Sequence, residues 1–154
     1  MKAKYILGML LVLLMATTAC VYAAEATLDD YRFTLPDKYD VETQNDDYFD
    51  LKMDDSHMIS IAITDDVTPD NATIQGLESK GYKVTENQNF TYEGKEISEI
   101  VYTDSTSQYH LYTWKLNGDD YAIASYGSPL SEGDVDWNSS PAKTIFDSMK
   151  KIDD

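Results

Sequence analysis

Cysteine occurs once in these 154 residues, at Cys20, so no intramolecular disulfide can brace the chain and a zinc site of the usual thiolate kind has no ligand set. Histidine is almost as scarce. Only His57 and His110 could lend imidazole to a metal or to acid–base chemistry. His57 follows Asp54 and Asp55 and reads as a solvated turn residue. His110 alternates with Tyr112, Trp114 and Leu116 and reads as a structural or edge histidine. Basic residues are few, 12 against 28 acidic, and none cluster as they do where a protein tracks a phosphate backbone, which excludes nucleic acid as a partner. Glycine and proline are sparse and form no linker, so nothing divides the chain into domains. Also missing are the G-x-S-x-G nucleophile elbow, the phosphate loop and the dinucleotide fingerprint.

The first 24 residues differ from the rest. Lys2 and Lys4 precede an uncharged run from Tyr5 to Ala24, whose most apolar part is Ile6 to Met15. That is the layout of an export signal, and Val21-Tyr22-Ala23 before Ala24 fits the small-x-small rule of a general signal peptidase. Cleavage there removes Cys20. A second reading is a lipoprotein signal, because Thr18-Ala19-Cys20 is similar to the end of a lipobox, although Thr17 stands where leucine is usual. A third is an uncleaved anchor, since the uncharged run could cross about 30 Å of hydrocarbon as a helix. Each places residues 25–154 outside the cytoplasm, secreted or attached to the outer face of the membrane. Only the N-terminal segment would touch lipid.

All 28 acidic residues follow position 24 and face 10 basic ones there, a formal charge of −18. Such acidity reads first as the solubility of a surface protein; the alternatives are a salty milieu, attraction of cations or a basic partner. About 131 residues remain after maturation at Ala24, enough for one domain whose stability must come from packing.

Tyr31-Arg32-Phe33-Thr34-Leu35 alternates and stops at Pro36, a strand with one buried face. Asp37 to Asp47 reads as a polar connection. Phe49, Leu51 and Met53, then Ile59, Ile61 and Ile63, flank a polar turn and predict a β-hairpin. Pro69-Asp70-Asn71 opens a short helix with Ile74 and Leu77 on one face and Gly81 as its stop. Strands follow on both sides of Glu93-Gly94. Tyr109 to Leu116 and Tyr121 to Tyr126 flank Asn117-Gly118, which predicts a type I′ hairpin. Ser140-Pro141 starts a last helix with Ala142, Ile145, Phe146, Met149 and Ile152 on its apolar face, and Lys150 and Lys151 at its C-terminal end. Hairpins without helical crossovers mean an α+β domain, an antiparallel sheet with helices packed on it.

Tyr31-Arg32-Phe33-Thr34-Leu35-Pro36, Gly81-Tyr82-Lys83-Val84, Tyr92-Glu93-Gly94-Lys95, the Asn117-Gly118 hairpin and Phe146-Asp147-Ser148-Met149-Lys150 together give a pattern that resembles the PsbP-like superfamily, which includes the Ran-binding Mog-type factors. The likeness spans nearly all of residues 28 to 152. It implies an α/β/α sandwich around an antiparallel sheet, in proteins that bind other proteins or assist complexes more than they catalyse. It carries over no functional residue.

Candidate sites are few. Asp134-Val135-Asp136-Trp137-Asn138 has the spacing that starts a calcium loop, but Ser139 replaces the turn glycine and Ile145 the closing glutamate, so it reads as a polar lead-in to the helix. Ser140 and Ser148 each begin an S-x-x-K without the partner motifs of penicillin-binding enzymes. Sequons stand at Asn71, Asn89 and Asn138, the last weakened by Pro141. Tyr109, Tyr112, Trp114, Tyr121 and Tyr126 crowd one hairpin; on an exposed face they would make the candidate binding surface, and otherwise one face of the hairpin packs under helices while the other carries half-buried tyrosines. No catalytic residue, metal or cofactor is expected. The reading is an exported, non-catalytic binding or accessory domain with a protein partner. The alternatives are a small extracytoplasmic metal-dependent or carboxylate-based enzyme and a structural envelope component.

Overall fold

The computed structural model describes residues 23–67 and 69–153, so Cys20 and nearly all of the leader lie outside the described residues. In chain order the elements are β1 (Glu25–Leu28), β2 (Tyr31–Thr34), β3 (Asp40–Gln44), β4 (Tyr48–Asp54), β5 (His57–Thr64), α1 (Asp70–Ser79), β6 (Lys83–Tyr92), β7 (Lys95–Thr103), β8 (Ser107–Lys115), β9 (Tyr121–Pro129), α2 (Pro141–Ser148) and β10 (Lys150–Lys151). A short 3₁₀ turn, Leu130–Glu132, follows β9. Seven strands form one antiparallel sheet in the order β3-β4-β5-β9-β8-β7-β6, and β1-β2-β10 form a second, small one.

Period-two patterning decides which face of the large sheet is dry. Phe49 and Leu51 of β4 pair with Ile61 and Ile59 of β5, and these in turn face Ala124 and Tyr126 of β9. Tyr112 and Trp114 of β8 and Ile97 of β7 continue the same face, all essentially buried. Leu28, Phe33 and Ile145, from β1, β2 and α2, cover it. Each large side chain removed from water contributes about 1.5–3 kcal/mol, so this layer holds the domain together. The opposite face is thinner. Helix α1 has no buried residue, and Ile74 and Leu77 are only half covered.

Three local expectations are corrected. The polar stretch after Pro36 contains β3, whose side chains are all exposed and which exists through backbone pairing with β4. The last helix ends at Ser148, and Lys150 and Lys151 pair with Arg32 and Tyr31 instead of completing it. Ile152 N then donates to Asp30 O at 2.7 Å. The open side of β2 offers these residues backbone partners that a further helical turn would lack. At Asn117-Gly118 the connection spans five residues, 116–120, with Leu116 N donating to Asp120 O at 2.8 Å. The Tyr31 hydroxyl donates to Asp120 Oδ2 at 2.8 Å and accepts from Asn117 N, which ties the loop to β2.

The two-residue turn with both φ angles positive is Glu93-Gly94, at +49° and +74°, between the paired Tyr92 and Lys95. Glutamate is a poor occupant of that left-handed position, which asparagine tolerates. Glu93→Asn is expected to raise stability by about 0.5 kcal/mol, read as a higher urea midpoint at unchanged slope.

Candidate functional site

Alternation along β6, β7 and β8 sets Glu86, Gln88 and Phe90 beside Val101, Glu99 and Ile97, and next to them His110, Tyr112 and Trp114, on the covered face. Near the β6 edge the cover is the segment from Leu130 to Asn138. It is held down where Gln108 Nε2 donates to Gly133 O and Pro129 O. Sheet and segment enclose a cleft of about 790 Å³. Phe90, Val101, Val135 and Trp137 give it apolar walls, while Glu86, Glu99, Asp134 and Asp136 face one cation, Lys83.

Trp137 forms the end wall. Its ring lies 5.0 Å from Tyr112 and 5.6 Å from each of Phe90, Tyr92 and Phe146, in tilted or edge-on packing. Beneath it runs a polar line across three strands. Gln88 Nε2 donates to Glu99 Oε2 at 3.0 Å, and His110 Nδ1 lies 2.8 Å from Glu99 Oε1. An ionised carboxylate only accepts, so Nδ1 carries the hydrogen. Burial pushes the Glu99 carboxyl up, but the hydrogen bonds from His110 and Gln88 outweigh it and hold it below the ordinary carboxylate value. His110 Nε2 and Trp137 Nε1 are buried without a protein partner. Glu99 was the residue the sequence reading missed. Its signal was the spacing Ile97, Glu99, Val101, which puts a carboxylate in a row of buried aliphatics.

The five aromatic candidates do not share a face. Tyr112, Trp114 and Tyr126 are core residues, whereas Tyr109 and Tyr121 are half-buried on the opposite side of the sheet. Tyr109 stacks on Tyr102 at 5.0 Å, and Tyr82 packs edge-on to both. It lies flat over Gly127, where an added Cβ would come within 3.1 Å of the ring. Tyr121 borders a second groove, about 540 Å³, floored by Ile100, Leu111 and Ile123 beside the start of α1.

The other candidates have local roles. Asp136 Oδ1 accepts from Ser139 N and Oγ at 3.0 Å, consistent with a lead-in to α2, and Asn138 is exposed beside it. Asn71 and Asn89 are exposed on α1 and β6. Ser140 Oγ caps α2 by accepting from Ala142 N, and Ser148 Oγ accepts from Thr34 N at 2.8 Å. Among the described residues no group of three or more His, Cys, Asp or Glu is placed to hold a metal ion, and no helix is long and apolar enough to cross a membrane.

His57 is not a free turn residue. Its Nδ1 meets Asp54 Oδ1 at 2.8 Å and its Nε2 meets Glu132 Oε1 at 2.7 Å, so it clasps the β4–β5 turn to the 3₁₀ turn. The Glu132 hydrogen bond, with help from Asp54, raises its pKa above the ordinary 6.5 against the effect of burial. A raised folded value means the clasp stabilises fully below the unfolded pKa and fades as pH rises through the folded one. His57→Gln is expected to lose about 0.5 kcal/mol near pH 5.5, a small figure because solvent screens the pair, and nothing near pH 9. Urea midpoints of the two proteins across that range check the sign.

No protein-family model matches the chain, and no curated protein matches it in sequence. Among solved structures it is similar to the solution structure of cyanobacterial PsbP from Synechocystis sp. PCC 6803, with a TM-score of 0.53 and 10% identity over 84% of this chain and 91% of that one. Matched over that extent, this chain adopts the PsbP-like fold, here an antiparallel sheet with helices packed on it.

Proposed function

We propose that residues 25–154 form a single exported domain that binds another protein and carries out no chemistry of its own. The observation that carries this reading is the cleft at the β6 edge. Its walls are aromatic and aliphatic, its carboxylates outnumber its one cation, and its histidine is tied to Glu99 in the interior. Mixed apolar walls with a charged margin suit recognition. An enzyme built on Glu99 and His110 is the alternative, but the two residues are 5% and 4% exposed, which supports a structural role for the pair. The PsbP-like fold is in keeping with an accessory protein, and the leader grammar supports a site of action outside the cytoplasm.

Photo-crosslinking residues placed at Gln88 and Asp134 are expected to capture one protein of defined mass in native envelope extracts. The same residue at Thr43, on the far edge, should capture none. Identical adduct patterns from both edges, or none from either, would refute the reading. The mature protein is expected to begin at Ala24; a mass showing lipid on Cys20 would overturn that.

A further inference from the structure

Strand β6 ends the large sheet, and its outer edge makes no backbone hydrogen bond among the described residues. Exposed edges invite a further strand, and folded proteins normally blunt them with bulges, proline, lysine or brevity. The other edge is blunted. β3 has five residues, carries Asp40 and Glu42, and breaks register between Val41 and Thr43. In β6 the bulge, between Val84 and Glu86, and Lys83 lie only at the start, and pairing then runs without a break from Glu86 to Tyr92. Asn87 to Thr91 holds no charge and no proline.

The turn tells which backbone groups face outward. A two-residue turn makes Tyr92 and Lys95 the pair that exchange both hydrogen bonds, so Phe90 and Gln88 also bond inward to β7. Asn87, Asn89 and Thr91 therefore present their N–H and C=O to the outside. The intervening Glu86, Gln88 and Phe90 line the cleft, across from Asp134, Asp136 and Trp137. One row of side chains on an added strand would lie beside that acidic, aromatic-walled space. Lysine or arginine suits it, with alkyl stem on the rings and charge at the carboxylates.

Building on the protein-binding reading, we propose that β6 is a docking edge to which an extended, basic segment of a partner protein adds as a further strand. A second copy of this chain is disfavoured as the occupant, because the formal charge of −18 on residues 25–154 would be brought against the same charge.

The test uses unglycosylated protein, since a glycan on Asn89 would sit on this edge, and a synthetic peptide of alternating lysine and valine. Tryptophan fluorescence is expected to report binding that weakens with salt. Amide exchange should slow at Asn87, Asn89 and Thr91. Replacing the peptide's central valine by proline keeps the charge but removes a ladder hydrogen bond, and is expected to weaken binding about tenfold. Asn89→Pro on the protein should do the same; if that variant misfolds, the proline peptide still decides. Equal binding of both peptides would reduce the effect to charge and overturn strand addition. Absence of binding, or dimerisation through β6, would overturn the basic segment as occupant. Crosslinks to a natural partner from Leu111 and Tyr121 in place of Gln88 would sink this proposal and leave the protein-binding reading standing.

Discussion

Replacing Glu99 by alanine is expected to destabilise the domain by about 3 kcal/mol, because it leaves His110 buried with no partner for either ring nitrogen. The loss belongs to the broken pair and not to the missing methylene groups. Replacing both residues by leucine should therefore recover most of it, since a buried hydrogen-bonded pair can be exchanged for apolar side chains of similar shape at little cost. Equal losses in the single and double variants would show that the two residues are not coupled. The pH dependence follows from the lowered pKa of Glu99. Its contribution is complete above the ordinary carboxylate value near 4.5 and is lost as pH falls through the lower folded value. The gap between wild type and Glu99→Ala in urea midpoint should narrow as pH falls below the ordinary carboxylate range.

This pair also shows why the fold was easier to read than the site. The hairpins announced themselves locally, with Phe49 and Leu51 set against Ile59 and Ile61 across a few polar residues, and with Ser140-Pro141 marking the start of α2. The Glu99–His110 contact joins neighbouring strands on a diagonal, and alternation alone does not say which buried neighbours will meet. β3 was invisible for a different reason. A strand that buries no side chain has no hydrophobic period, and only its pairing with β4 defines it. The aromatic hairpin was open to correction from sequence, because Tyr109 differs in parity from Tyr112 and Trp114 and so must point to the other face. Parity says nothing about which face is covered. That depended on where β1, β2 and α2 come to rest, far away in the chain.

Trp137→Ala is expected to cost about 3 kcal/mol, toward the lower end for a large aromatic because one side of the residue borders the cleft. Trp137 is the point where four rings from β6, β8 and α2 converge, and it lies in the irregular stretch between the 3₁₀ turn and α2. Its removal should therefore act unevenly. Amides of the β5–β9–β8 centre are expected to keep their relative protection, while those of Ser139 and Ser140, which bond back to Asp136 and Trp137, should exchange much faster. Uniform loss of protection across the sheet would mean that Trp137 is simply core and that the Leu130–Asn138 segment is no separate wall. With local loss, the lysine–valine peptide should bind Trp137→Ala more weakly than wild type although no residue of β6 is replaced. The edge supplies backbone hydrogen bonds, whereas the aromatic wall beside it is what favours a long basic side chain over any other.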